Sequence, residues 1–141
     1  MKFFASAIYL LSTLSMFANA RVGSVTIAPA QVIPGENITV TVYSASYIQN
    51  WDDFGMIWGM KNDQLDNCQS CLGQELGYVN LYGNATHGNT TYSVQIPKGT
   101  NTGTYTFVAA VPNLVGASGE TSINYFNQTM NVISNAKVRR T

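Results

Sequence analysis

Histidine and cysteine are scarce in this chain, and their scarcity limits the chemistry it can perform. His87 is the one histidine, and Cys68 and Cys71 are the only cysteines. A zinc site needs about four ligands of such types, so we expect no metal ion. Nucleophilic catalysis needs a base beside its nucleophile, and no GxSxG elbow or similar context is present. We therefore predict a protein that is not an enzyme, with no catalytic residues and no cofactor.

Charged residues are also few, with seven basic and seven acidic side chains in 141 residues. Nucleic acids and anionic membrane surfaces both require a basic patch, so neither is expected as a partner. Asp52 and Asp53 are adjacent, and neighbours on an extended chain point to opposite faces, unlike the opposed carboxylates of a glycosidase. The only basic cluster lies near the C-terminus, in residues 134–141. We interpret that segment as a flexible basic tail, and processing at Arg139 and Arg140 is the alternative.

Long apolar runs are absent except at the N-terminus. Lys2 precedes an apolar stretch over residues 3–17, and Ala18-Asn19-Ala20 has the pattern of a cleavage site. Residues 1–20 are therefore predicted to be a secretory signal peptide; a membrane anchor, the alternative, would be short and is diluted by Ser and Thr. The mature chain would begin at Arg21, form one domain over residues 21–133 and be secreted without membrane insertion.

Four N-x-[ST] sequons are present, each with Thr in the third position. Their asparagines are Asn37, Asn84, Asn89 and Asn127. Export makes N-glycosylation of these sites plausible, so we predict a glycoprotein.

Alternation of apolar and polar residues dominates the rest of the chain, and helical periodicity is absent. In "ENITVTVYSA", for example, Ile38, Val40 and Val42 share one face. Six further segments, "RVGSVTIAP", "DFGMIWGM", "LGYVNLYG", "NTTYSVQIP", "GTYTFVAAVP" and "FNQTMNV", also have strand character. About seven antiparallel strands separated by turn residues predict an all-β, immunoglobulin-like two-sheet sandwich; a small closed barrel is the alternative.

The stretch "YIQNWDDFGMIWGM", residues 47–60, concentrates aromatic residues. Its second half predicts a core strand in which Phe54, Met56, Trp58 and Met60 face inward. Its first half predicts a loop. There Trp51, together with Tyr78 and Tyr82, would form an exposed platform for a sugar or a protein, and partial burial is the alternative.

The motif "DNCQSCLG" contains both cysteines. In the secretory route a local disulfide between Cys68 and Cys71 is expected, contributing about 2 kcal/mol or less because the loop is so short. The same spacing occurs in redox motifs, but these precede a helix in a βαβ unit, and the following "ELGYVNLYG" reads as a strand.

The blocks "NITVTV", "YIQNWDDFGMIWG", "TYSVQIPKGTNTGTYTFVAAV" and "YFNQTMNV" together resemble the necrosis-inducing secreted protein family of fungal effectors. The resemblance covers residues 21–133. It implies a secreted effector that binds and inhibits receptor-associated protein kinases of a plant host, suppresses pattern-triggered immunity and induces cell death.

The resemblance supplies no contact residues, so the partner-binding hypothesis rests on the aromatic stretch. Its candidates are Tyr47, Gln49, Trp51, Asp52, Asp53 and Tyr82. A module that binds cell-wall polysaccharide is the alternative function, because the same fold serves many purposes.

Overall fold

A computed structural model describes residues 20–47, 50–64, 67–84 and 86–135, and these residues form two β-sheets. The strands are β1 (Ala20–Ala28), β2 (Gln31–Val32), β3 (Asn37–Ser46), β4 (Trp51–Asp53), β5 (Gly55–Asn62), β6 (Gln74–Asn80), β7 (Gly88–Gln95), β8 (Gly103–Val115) and β9 (Glu120–Val132). The seven predicted strands correspond to β1, β3 and β5 to β9. The predicted termini, residues 1–19 of the signal peptide and 136–141 of the tail, lie outside the described residues.

The two sheets pack as a sandwich. One has the strand order β1-β3-β7, and the other has the order β2-β9-β8-β5-β6, with β4 added beside β8. The all-β two-sheet prediction is confirmed, and the arrangement is consistent with an immunoglobulin-like fold. Antiparallel pairing holds for every pair except β2 with β9, which is parallel. The prediction missed β2 and β4 because two or three residues are too few to show alternation.

The core lies between the inner faces of the sheets, where the alternating residues meet. Ile38, Val40 and Val42 of β3 are buried, as predicted. Met56, Trp58 and Met60 of β5 face them across the core together with residues of β8 and β9. The Trp58 ring packs against the Tyr92 ring with centroids 5.3 Å apart. Trp58 is therefore a core residue, in agreement with the sequence pattern.

Gln128 is the polar exception on the inner face of β9, and it connects β9 with β1. Its side-chain oxygen accepts a hydrogen bond from the Ile27 backbone N–H at 2.8 Å, and its amide group donates to the Ile27 carbonyl at 3.1 Å. Both polar ends of the amide are thus satisfied inside the sandwich. The contact joins the two sheets along the edge where β1 approaches β9.

Candidate functional site

At the end of the first half of the aromatic stretch, Trp51–Asp53 form the short strand β4 rather than an open loop. Trp51 pairs with Val115 at the end of β8, and its side chain is only 6% exposed. Of the two interpretations of Trp51, an exposed stacking platform and burial, the structure therefore supports burial. Beside it, Tyr47 is half-buried and contacts the Trp51 ring edge-on with centroids 5.3 Å apart. Gln49 lies outside the described residues.

Asp53 is buried, although the sequence suggested a surface contact. Its two carboxylate oxygens accept hydrogen bonds from the Trp51 indole N–H at 2.7 Å and from the Val22 backbone N–H at 2.8 Å. Burial raises the pKa of the Asp53 carboxyl group, and these two hydrogen bonds and the nearby Arg21 oppose the rise. Asp53 therefore holds β4 against β1 and is not accessible to a partner. Asp52, on the opposite face, is half-buried.

Arg21 joins Tyr47, Trp51 and Asp53 in a group of residues that we name the Arg21 cluster. No pattern in the sequence indicated this role of Arg21. The carbon of its guanidinium group lies 4.1 Å from the centroid of the Trp51 ring and 5.2 Å from that of Tyr47. Both distances are within the range of cation–π attraction. A single Arg at the start of a strand carries no local pattern that predicts a partner far along the chain.

A second surface feature is an exposed apolar patch that we name the Phe54 patch, comprising Phe54, Tyr82, Pro112 and Ile123. The rings of Phe54 and Tyr82 stack at 5.3 Å with an interplanar angle of 13°. Ile123 pairs with Pro112 across the sheet, and both line a shallow hollow with Phe54. Tyr82 is exposed, in agreement with the prediction. Its role in binding a partner stays a prediction.

Phe54 was predicted to face the core, and that prediction is wrong because its ring is 39% exposed. The chain leaves the strand conformation at Phe54, between β4 and β5. Its N–H donates to the Pro112 carbonyl at 3.0 Å, and its carbonyl accepts hydrogen bonds from Leu81 and Tyr82. This break in the strand interrupts the alternation, so the side chain points outward while Met56 stays inside.

The cysteine loop folds over the outer face of the larger sheet. Cys68 and Cys71 are joined by a disulfide, as predicted. The ammonium group of Lys61 donates to the Cys68 carbonyl at 2.7 Å, and the Tyr125 hydroxyl group donates to the Ser70 carbonyl at 3.2 Å. Lys61, the penultimate residue of β5, is consequently buried although its side chain is charged. The disulfide loop is thus a cover over β5.

The family of the protein is decided by a comparison with sequence profiles. The profile of the Nis1 family matches residues 18–131. The chain belongs to the Nis1 family. The match includes every described strand up to the penultimate residue of β9, so both the Phe54 patch and the Arg21 cluster lie inside it.

Two curated relatives of this Nis1 family protein carry the name necrosis-inducing secreted protein 1. One is from Colletotrichum higginsianum and is 28% identical over 131 residues, covering 92% of this chain and 90% of the relative. The other, from Colletotrichum orbiculare, is also 28% identical and covers 92% of this chain and 80% of the relative. These relatives agree with the family resemblance, and the protein is secreted.

Among solved structures, similarity is found to superoxide reductase (neelaredoxin) from Ignicoccus hospitalis. The TM-score is 0.47 with 8% sequence identity, and the alignment covers 82% of each chain. A variant of the same reductase gives a TM-score of 0.47 at 9% identity. Within the described residues of this Nis1 family protein, no three His, Cys, Asp or Glu side chains come together as a metal site.

The sequon asparagines of the Nis1 family protein all lie at the surface. Asn37, Asn84, Asn89 and Asn127 are exposed, and Asn37, Asn89 and Asn127 lie on the outward faces of β3, β7 and β9. His87 is exposed, and its Nδ1 lies 3.3 Å from the Ser46 hydroxyl. In the part of the chain that is described, no helix has the length and apolar character needed to cross a membrane.

Proposed function

We propose that this Nis1 family protein is a fungal effector that induces necrosis in a plant host and inhibits receptor-associated immune kinases by binding them. The names of the two curated relatives support the necrosis-inducing part. Kinase binding follows from the family resemblance, and the expected consequence is suppression of pattern-triggered immunity. The protein acts by occupying a surface of its partner and catalyses no reaction.

The observation that carries the proposal is the Phe54 patch. Tyr82 is 57% exposed, Ile123 is 49% exposed and Phe54 is 39% exposed, and all three are large apolar side chains. Adjacent exposed aromatic and aliphatic residues are typical of protein interaction sites. Aromatic residues also dominate the binding energy of such sites. The patch therefore has the composition of a protein-binding hot spot.

The rigidity of the patch also favours protein binding. Three backbone hydrogen bonds anchor Phe54 to β8 and to the chain after β6. Stacking then restricts the rings of Phe54 and Tyr82. A surface that is ordered before binding loses little conformational entropy on association, and this increases affinity.

The test removes the stacked pair and measures kinase binding. The double substitution Phe54→Ser and Tyr82→Ser should weaken binding to the kinase domain of a plant immune co-receptor by at least about 30-fold, which corresponds to the loss of about 2 kcal/mol expected for a single hot-spot residue. Tyr43→Ser is the matched control, because Tyr43 is an aromatic residue that is 47% exposed on the other sheet. Equal binding by the double variant and the control would refute a role for the patch.

Polysaccharide binding is the second proposal, and the exposure of Tyr78 and Tyr82 favours it. Both side chains are more than half exposed, at 58% and 57%. Exposed aromatic faces are surfaces on which sugar rings stack, and Asn80 and Asn84 provide exposed amides nearby. Retention on insoluble chitin or glucan that is lost in Tyr78→Ser and Tyr82→Ser variants would favour this function over kinase binding.

A further inference from the structure

A groove runs along the edge of the sandwich where β1 and the end of β3 approach β9. Its described lining consists of Arg21, Val22, Gly23, Ala45, Ser46, Tyr47, Asn124, Tyr125 and Phe126. Among these described residues, Arg21 is the one with a charged side chain. The remaining polar groups are a hydroxyl, an amide and the tyrosine rings. The Arg21 guanidinium is therefore the one charged side chain of this lining, among neutral donors and aromatic walls.

The Arg21 side chain is held in a defined position. Its guanidinium carbon lies 4.1 Å from the Trp51 centroid and 5.2 Å from the Tyr47 centroid. Such ring contacts engage the cation through its charge, and they do not use its N–H groups. Within the described residues, the guanidinium also interacts with the carboxylate of Asp53, through charge and without a hydrogen bond. Its hydrogen-bond donors are therefore free to face a ligand from the groove.

The support beneath Arg21 is also fixed. Asp53 accepts a hydrogen bond from the Trp51 indole N–H, which sets the orientation of the ring that carries the guanidinium. The second oxygen of Asp53 is occupied by the Val22 N–H. The Asp53 carboxylate thus accepts both of its hydrogen bonds from neutral donors. It positions the Arg21 cluster and does not occupy the N–H donors of Arg21.

We propose that this groove binds an oxyanion on a peptide side chain, either a phosphate or a carboxylate, with Arg21 as the principal ligand. A guanidinium group matches both oxyanions through two parallel N–H donors, and prior ordering by Trp51 and Tyr47 lowers the entropic cost of binding. Ser46 and Asn124 supply neutral donors, and the rings of Tyr47 and Tyr125 flank the carbon portion of the side chain. The site is separate from the Phe54 patch, and the inference does not depend on kinase inhibition.

A nucleic acid is a less suitable occupant than a peptide. Binding to a phosphate backbone requires several basic residues that follow successive phosphates. The described lining of the groove offers only Arg21. One fixed guanidinium group beside aromatic walls suits a single anionic side chain.

Nuclear magnetic resonance on the secreted protein, recovered from culture medium, tests the proposal. The probes are N-acetyl-phosphotyrosine amide, N-acetyl-glutamic acid amide and inorganic phosphate. Ligand at Arg21 should shift the indole N–H resonance of Trp51 in a saturable manner. The only other tryptophan, Trp58, is a buried core residue, so its indole resonance should stay unchanged and serve as an internal reference for folding.

Three variants identify the group that binds. Arg21→Met should weaken probe binding roughly tenfold to hundredfold, as expected for loss of a charge-assisted hydrogen bond. Arg21→Lys keeps the charge without the planar pair of donors and should fall between that variant and the wild type. Lys98→Gln is the matched control, because it removes an exposed cation outside the groove and should leave binding unchanged.

Each outcome has a defined meaning. Saturable binding of either amino-acid probe that depends on Arg21 supports the site, and the stronger probe identifies phosphate or carboxylate as the preferred group. Binding of inorganic phosphate alone would contradict a peptide side-chain site. Absence of any saturable Trp51 shift, or equal shifts in the wild type and in Arg21→Met, would overturn the proposal.

Discussion

At the scale of single residues, three polar side chains depart from the rule that polar residues lie at the surface. Asp53, Lys61 and Gln128 interrupt apolar patterns, yet each is buried or partly buried against hydrogen-bond partners. A sequence pattern assigns such residues to the surface, since ionised groups are rarely buried. Their partners are distant in sequence, so the local pattern contains no signal for them.

Replacement of Asp53 by Asn tests its role in joining β4 to β1. An Asn side chain has one acceptor oxygen, so either the Trp51 or the Val22 N–H would face an amide donor. We expect the free energy of unfolding to fall by about 1–3 kcal/mol, the cost of an unsatisfied buried group. Urea unfolding measures the change, with Glu120→Gln, an exposed carboxylate at a strand end, as the control.

The loss of stability in Asp53→Asn should depend on pH. Burial raises the pKa of Asp53 above its ordinary value of 3.8, so the folded state keeps this proton up to a higher pH than the unfolded state does. The contribution of this group to the free energy of unfolding is therefore greatest below about pH 4 and falls as the pH rises through the raised pKa. The difference between wild type and Asp53→Asn should shrink over that range. A difference that grows with pH would contradict a raised pKa.

At the scale of strands and loops, long elements were predictable and short ones were not. Alternation over β3 and β9 identified both the strands and their buried faces. The same rule placed Phe54 in the core, because a pattern that is continuous in sequence gives no sign that the backbone breaks between β4 and β5. The rule also could not show that the cysteine loop covers β5, since that contact joins separate elements.

Gly59 tests whether the cysteine loop packs closely on β5. A methyl group at this position would lie 2.5 Å from the Leu72 carbonyl oxygen and 2.9 Å from that of Gln74. Both atoms are backbone, so the loop must shift. Gly59→Ala should lower the free energy of unfolding by about 1–3 kcal/mol. Gly99→Ala, where the space is open, should cause no loss, and equal stability of the two variants would refute close packing.

The disulfide itself should contribute little to global stability. Cys68 and Cys71 are separated by three positions, so the bond restricts the unfolded chain only slightly. Replacement of both by Ser should lower the free energy of unfolding by about 2 kcal/mol or less and leave the β-sheet circular dichroism unchanged. Unfolding of the double variant at room temperature would show that the loop is essential to the sandwich.

At the scale of the whole molecule, the sandwich brings together segments that are far apart in sequence. Arg21, at the start of β1, meets Tyr47 and Trp51, which follow β3. The sequence correctly indicated the residue types near the site and the exposure of Tyr82, but it could not predict that Trp51 and Asp53 support Arg21 from inside. The tertiary arrangement determines which strand edges meet. The periodicity within a single strand carries no information about these contacts.

Glycosylation is a further prediction at this scale. Asn37, Asn84, Asn89 and Asn127 are all exposed, so each is accessible to a transferase. Treatment of the secreted protein with an amidase that removes N-glycans should lower its mass, and mass spectrometry of the peptides should locate the modified asparagines. An unchanged mass would show that the sequons are unused.

The most direct test of the proposed function is the affinity of the secreted protein for the purified kinase domain of a plant immune co-receptor. Insoluble chitin and glucan are measured in parallel. The account predicts a micromolar or lower Kd, about −8 kcal/mol of binding free energy, with inhibition of phosphorylation and no retention on polysaccharide. Retention on polysaccharide without kinase binding would contradict it and would make glycan recognition the function of the exposed tyrosines.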